Sequence, residues 1–126
     1  MILLPNPLTK SARGEQCTVR IAGYCNRNPE TVVLAHYRLA GYCGTGTKPP
    51  DYLGAYACSA CHDICDGRVK TDLDADEIQA AFAEGVMRTM VRLVEKGLME
   101  TFAKKPFLQQ PEPKHRFSTV SAPNCA

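Results

Sequence analysis

Four cysteines in the first half of the chain have types and spacings suited to binding a metal ion. Cys58 and Cys61 form a Cys-x-x-Cys clip, which lets two thiolates from one turn reach a single ion. Cys17 and Cys25 supply a second pair at a wider spacing. Four thiolates suit zinc in tetrahedral geometry, so we predict a structural zinc ion held by these four side chains.

The seven cysteines of this chain leave other uses of the thiols open. A disulfide scaffold is disfavoured because the count is odd and because the apolar run of residues 1–5 is too short for a signal peptide. We therefore expect a cytoplasmic protein with reduced thiols. The clip also lacks the strand-helix-strand surroundings of a thioredoxin-like redox site. Cys43 or Cys65 could replace one of the four zinc ligands.

A histidine and a carboxylate follow the clip at helical spacing. His62 comes directly after the clip and Asp66 lies four residues later, so on a helix both side chains project from one face. This pair can bind a second, catalytic ion such as Mg²⁺ or Mn²⁺ with open positions for phosphate oxygens and water, and His36 could then activate the water. The alternative is that His36 is a core histidine, His62 a zinc ligand and Asp66 a surface charge.

Short elements must position these side chains. Residues 18–21 and 31–36 have the composition of two strands joined by a turn, a predicted hairpin that carries His36 at its end. Residues 40–51 contain three glycines and two adjacent prolines, which predicts a loop. Residues 52–56 could form a further short strand.

Two helices are predicted after that strand. Residues 59–67 allow about two turns ending at a glycine. A long helix begins at Asp74 as N-cap, with acidic residues in its first turn, and ends at Gly97. Apolar residues recur along it at spacings of three and four, which indicates a core face: Ile78, Phe82, Val86, Met90, Leu93 and Val94.

The length of 126 residues suits one domain. We expect a flexible N-terminus over residues 1–10, a single α+β domain over residues 11–103, and a Pro-rich disordered tail over residues 104–126 in which His115 and Cys125 have no role. No stretch reaches the roughly 20 apolar residues that cross a bilayer, so no membrane partner is expected. The net charge of +2 does not by itself indicate a polyanionic partner.

Several runs resemble the HNH endonucleases, which have a ββα-metal (His-Me finger) core. The first are Val33-Leu34-Ala35-His36 and Cys58-Ser59-Ala60-Cys61-His62, preceded by the other cysteine pair. A closer resemblance, over residues 10–97, is to a family of prophage-encoded nucleases similar to the HNH domain of a phage RecA-dependent nuclease. It is carried by Ala12-Arg13-Gly14, Asn28-Pro29-Glu30-Thr31, and residues 43–51 and 57–63.

The resemblance implies a zinc-stapled HNH-like core, extended by the long helix, that hydrolyses phosphodiester bonds of DNA. It implies His36 as general base and His62 as ligand of the catalytic ion. Asp66 matches a position where many members have histidine or asparagine. Three basic residues are the predicted phosphate contacts: Arg38, Lys48 and Arg68.

One position departs from the HNH pattern. Most HNH enzymes have an acidic or histidine metal ligand directly before the base, where this chain has Ala35. A further ligand would then come from elsewhere, such as Asp63 or Asp51. The departure favours a second hypothesis, a non-catalytic zinc module that binds nucleic acid or a recombination protein such as a recombinase filament.

Overall fold

Two antiparallel strands form the sheet within residues 6–101, the part of the chain that this computed structural model describes. β1 spans Val33–His36 and β2 spans Gly54–Ala57. The register places His36 opposite Gly54, at the start of β2. All four residues of β2 are buried, so this strand lies in the core.

The segment before the first cysteine is partly helical. A short helix, α1, spans Pro7–Lys10, where a flexible N-terminus is predicted from sequence. It is tied to the core because the hydroxyl groups of Ser11 and Tyr56 are hydrogen-bonded at 2.8 Å. The predicted tail over residues 104–126, and residues 1–5, lie outside the described residues.

The predicted hairpin is wrong, because residues 33–36 of the second predicted strand pair with β2 and not with residues 18–21. The N–H of Thr18 donates to the carbonyl oxygen of Tyr56 at 2.8 Å, but this contact does not extend into a strand. Residues 18 and 19 form a bend, and Arg20 has a left-handed φ of 54°, which is incompatible with a strand. The segment therefore turns back on itself as a loop.

The predicted loop ahead of β2 is confirmed, because residues 40–50 contain no helix or strand. A 3-10 helix, Asp51–Leu53, connects this loop to β2, so the strand begins two residues later than predicted. Another 3-10 helix, Pro29–Thr31, precedes β1. Each strand thus follows a tight turn that fixes where pairing begins.

Both predicted helices are confirmed. α2 spans Ser59–Cys65 and follows β2 directly, with Cys58 as N-cap. α3 spans Ala75–Glu95. At its start, the carboxylate of Asp74 accepts the N–H of Glu77 at 2.8 Å, and the carboxylate of Glu77 accepts the N–H of Asp74 at 3.0 Å. This capping box satisfies two backbone donors that a helix start leaves unpaired.

The long helix α3 packs against β2 and approaches it closely at Gly85. A Cβ atom at this position would lie 2.9 Å from the side chain of Val19 and 3.2 Å from Cβ of Ala55. Only glycine therefore fits here without displacement of its neighbours. The buried face of α3 contains five residues: Phe82, Gly85, Val86, Thr89 and Leu93. Three residues of the predicted face are only half-buried: Ile78, Met90 and Val94.

In the described part of the chain, no helix has both the length and the apolar character needed to span a membrane.

Candidate metal and active sites

The four predicted zinc ligands come together in the structure and are called the cysteine cluster below. The Sγ atoms of Cys17, Cys25, Cys58 and Cys61 all lie within 4.8 Å of one another. Those of Cys25 and Cys58 are 3.8 Å apart. Metal–sulfur bonds of about 2.3 Å in a tetrahedron give sulfur–sulfur distances of roughly 3.8 Å. The cluster therefore fits a metal ion such as zinc.

Local backbone geometry brings each cysteine pair into place. In the loop, the N–H of Arg20 points at Sγ of Cys17 at 3.5 Å, and the N–H of Cys25 donates to the carbonyl oxygen of Ile21 at 2.9 Å. In the clip, the N–H of Cys61 points at Sγ of Cys58, the N-cap of α2, at 3.4 Å. Backbone donors aimed at sulfur favour the thiolate, which is the form that binds metal.

The thiols of the cluster also influence one another. A hydrogen bond from Cys61 holds the pKa of Cys17 well below the usual value for a thiol. The same contact raises the pKa of Cys61. Burial raises the pKa of Cys25. The lowered pKa of Cys17 favours its thiolate, which is the form that binds a metal cation.

The two alternative ligands lie outside the cluster. Sγ of Cys43 contacts the carbonyl oxygen of Leu39 at 3.6 Å. Cys65 is half-buried, and burial raises its pKa to about 12. Within residues 6–101, the cysteine cluster is the only group of three or more Cys, His, Asp or Glu side chains close enough to share an ion.

His36 contacts an acidic side chain at the start of the 3-10 helix that precedes β2. Its Nε2 lies 2.6 Å from Oδ1 of Asp51, and the two side chains are 24% and 18% exposed. The N–H of Tyr37 donates to the carbonyl oxygen of Leu53 at 2.8 Å, which continues the pairing beyond the sheet. The sequence suggests Asp51 only as a substitute metal ligand. In the structure its carboxylate contacts His36 instead.

The second histidine and its carboxylate lie on one face of α2, as their spacing predicts. Nε2 of His62 is 3.2 Å from Oδ2 of Asp66. The same carboxylate oxygen is 3.1 Å from a guanidinium nitrogen of Arg68, whose other nitrogen is 3.2 Å from Asp63. Asp63 therefore pairs with Arg68.

A cavity of about 480 Å³, called the His36 cavity below, brings His36 and Asp66 together. Arg38 also lines it, whereas His62 does not and contacts Asp66 from outside the lining. Lys48 is exposed in the loop and is not part of the lining. The apolar side of the cavity consists of Tyr37, Ile64, Ile78 and Phe82. Cationic, acidic and imidazole groups thus face one space large enough for a phosphate group.

The residue directly before His36, Ala35, is buried in the core and has no room for a longer side chain. Ala35 is 2% exposed and pairs with Ala55, which is fully buried in β2. A longer ligand side chain at position 35 would displace the core. The alanine that replaces the metal ligand of the HNH pattern therefore lies at a tightly packed position.

The fold and these sites define a class: a small α+β protein with a cysteine cluster at a strand–helix junction and a histidine–carboxylate cavity beside it. Residues 6–98 match the family described as "Putative nuclease YbcO", and the chain belongs to this family.

Individual relatives agree with this assignment. "Putative nuclease YbcO" of Escherichia coli (strain K12) is 53% identical over 93 residues, which cover 74% of this chain and 96% of the relative. The protein of the same description from Enterobacteria phage 82 matches equally. A solved structure, titled "Structure of a putative bacteriophage protein from Escherichia coli str. K-12 substr. MG1655", has a TM-score of 0.61 and 46% identity, covering 71% of this chain and 99% of that chain. The predicted nuclease family is thereby confirmed.

Proposed function

We propose that this protein is a metal-dependent endonuclease of prophage type, with an HNH-like core, that hydrolyses phosphodiester bonds of DNA in the cytoplasm. The observation that carries the proposal is the His36 cavity, which His36 and Asp66 line together. The nuclease name of the family and the phage source of one relative support it. The order β1, β2, α2, with one histidine at the end of β1 and the other on α2, also supports the HNH resemblance.

In this proposal the cysteine cluster holds a structural zinc ion. The loop of residues 17–25 supplies two ligands and the junction of β2 with α2 supplies the other two. An ion at this place fastens the loop to the helix that carries His62. In a core this small, a structural metal contributes directly to the free energy of folding.

His36 is the proposed general base, and its contact with Asp51 determines which nitrogen is available. A carboxylate accepts a hydrogen bond, so the 2.6 Å contact favours the proton on Nε2 of His36. Nδ1 then keeps its lone pair and can take a proton from water. The carboxylate also stabilises the positive charge that the imidazole gains.

His62 and Asp66 are the residues proposed to hold a Mg²⁺ or Mn²⁺ ion, because an imidazole nitrogen and a carboxylate oxygen already lie together there. Such an ion supplies positive charge against the charge that develops on the phosphate during hydrolysis. Arg38 contacts the phosphate from the cavity wall, and Lys48 contacts the backbone from the loop. Arg68 exchanges its acidic partners for phosphate, which its 62% exposure permits.

A second candidate function is a zinc module that binds DNA without cutting it. Two observations favour it: Ala35 is closed off in the core, and the carboxylate of Asp66 is already paired with Arg68. In both candidates DNA is the partner, and a recombinase filament is no part of the proposal.

A cleavage assay separates the two candidates. The purified protein is incubated with single- and double-stranded DNA and either Mg²⁺ or Mn²⁺. We expect cleavage, reduced by about 100-fold or more in His36→Ala, since a general base contributes roughly that much to the rate. His115→Ala is the matched control and should cut normally. DNA binding without cleavage would favour the second candidate, and full activity in His36→Ala would exclude His36 as the base.

A further inference from the structure

Two arginines next to the cysteine cluster have unusual backbone conformations. Arg20 and Arg27 have φ of 54° and 56°, and within residues 6–101 they are the only residues other than glycine with positive φ. Arg20 lies three positions after Cys17, and Arg27 lies two positions after Cys25. The left-handed region favours glycine or asparagine, so local backbone preference does not explain arginine at either place.

Both arginines line one cavity of about 630 Å³, called the arginine cavity below. It shares no lining residue with the His36 cavity. The other lining residues are Gln16, Cys17, Ile21, Ala22, Gly23 and Cys25. No Asp or Glu is among them, so the two guanidinium groups are the cationic side chains of this cavity, and the thiols of Cys17 and Cys25 are its only acidic groups.

The partners of these arginines differ from those of the arginines on the helical side of the molecule. Arg68, Arg88 and Arg92 each pair with at least one carboxylate. Within the described residues, neither Arg20 nor Arg27 has such a partner. Nε of Arg20 donates to the carbonyl oxygen of Cys17 at 3.2 Å, which leaves its terminal nitrogens available. Two guanidinium groups without carboxylate partners, lining one cavity, match the chemistry of a phosphate ligand.

We propose that Arg20 and Arg27 form a second phosphate-binding site, which holds the DNA backbone away from the His36 cavity. This inference rests on the proposed function, because its ligand is the DNA that the protein would cut. The site provides charge and bidentate hydrogen bonds but takes no part in bond cleavage. Its role is to position the strand, so its loss weakens binding.

The test measures DNA binding by the full chain in the His36→Ala background, where cleavage does not interfere. Fluorescence anisotropy with labelled single-stranded and duplex oligonucleotides gives Kd over a range of salt concentrations. The variant Arg20→Gly/Arg27→Gly removes both charges, and glycine suits the left-handed backbone, so the loop keeps its conformation. We expect weaker binding, and a negative slope of log K against log salt that becomes shallower by about 0.9 per arginine on duplex and about 0.7 on single strands.

Two controls make the result specific. Arg20→Lys/Arg27→Lys keeps the charges, so it should keep the salt dependence and lose only the part of the affinity that bidentate hydrogen bonds provide. Lys10→Gln/Lys70→Gln removes the same charge from exposed positions outside both cavities and should lower the affinity less than the glycine variant. Equal effects of the glycine and lysine-to-glutamine variants would overturn the inference.

An alternative role for the two arginines is to offset the negative charge of the cysteine cluster. Zinc content and melting temperature of the glycine variant distinguish the two: zinc loss with unchanged DNA affinity overturns the inference. If the native protein cuts DNA while the glycine variant binds it normally, only the second site is refuted. If the native protein neither binds nor cuts DNA, the proposed function falls together with the site.

Discussion

Nε2 of His36 lies 2.6 Å from Oδ1 of Asp51, and this contact joins the end of β1 to the 3-10 helix that leads into β2. The two residues are 15 positions apart, across a loop rich in glycine and proline. Both side chains are largely shielded from water. The contact therefore fixes the orientation of the imidazole and connects the long loop to the candidate active site.

Asp51→Asn tests this orientation. The amide keeps the size of the side chain but loses the charge that favours the proton on Nε2 of His36. We expect the rate of DNA cleavage at saturating substrate to fall by roughly 10- to 100-fold, part of what a general base contributes. Asp76→Asn, at an exposed position of α3, is the matched control. An Asp51→Asn protein as active as the native one would show that the contact is only structural.

The cysteine cluster predicts a defined metal content. Native mass spectrometry should find a zinc ion on each chain, and Cys25→Ser should lose it because one of four thiolates is missing. We also expect this variant to unfold at a lower temperature than the native protein. Cys43→Ser serves as control, since Cys43 lies outside the cluster. Zinc retained in Cys25→Ser but lost in Cys43→Ser would mean that the ligand set is wrong.

An ion-pair network between the N-terminal segment and α3 predicts a pH dependence of stability. Glu15 accepts hydrogen bonds from Arg92 at 2.7 and 3.1 Å and contacts Lys96 at 2.6 Å. The Arg92 guanidinium holds the pKa of Glu15 below its usual range. The ionised carboxylate therefore stabilises the fold above the pKa of an unfolded glutamate, and this contribution disappears as the pH falls through the lowered pKa.

Glu15→Gln should accordingly destabilise the protein by about 1 kcal/mol at pH 7, a modest value because Arg92 is partly exposed. Thermal unfolding of the variant and the native protein, measured from pH 7 to pH 3, should show the two curves converging in acid. Glu100→Gln, a substitution at an exposed position, should change neither curve. A difference that grows as the pH falls would contradict this account of Glu15.

The close approach of α3 to the sheet predicts a large effect at Gly85. Gly85→Val places atoms against Val19 and Ala55, and we expect a loss of about 3 kcal/mol in the free energy of unfolding. Ala80→Val puts the same side chain on the exposed face of α3 and should cost well under 1 kcal/mol. Denaturant unfolding of both variants measures the difference. Equal stabilities would show that the helix can move away from the sheet at little cost.

The parts of the fold that sequence predicts are those with local signals. Asp74 and Glu77 mark the start of α3 by a capping box, and the spacing of His62 and Asp66 places them on one face of α2. The Cys58–Cys61 clip likewise follows from residues close in the chain. In each case the structure depends on neighbours within about one helical turn, so the pattern is sufficient.

Strand pairing and the acidic partner of His36 could not be predicted in the same way. Residues 18–21 and β2 both have the composition of a short strand and both contact α3 at Gly85, so neither composition nor burial says which of them pairs with β1. Arg20 breaks the first segment by adopting a left-handed conformation that its side chain does not signal. The contact of Asp51 with His36 closes a long loop, and no local spacing encodes it.

The most direct test of the proposed function is the anomalous diffraction of a crystal soaked in Mn²⁺. We expect an ion between His62 and Asp66, at the edge of the His36 cavity that Asp66 lines, and expect it to be absent in crystals of His62→Ala. The zinc signal at the cysteine cluster should be unchanged in both, which shows that the variant has folded. A native crystal with metal at the cysteines and none beside His62 would contradict the account, because the proposed hydrolysis depends on an ion at this place.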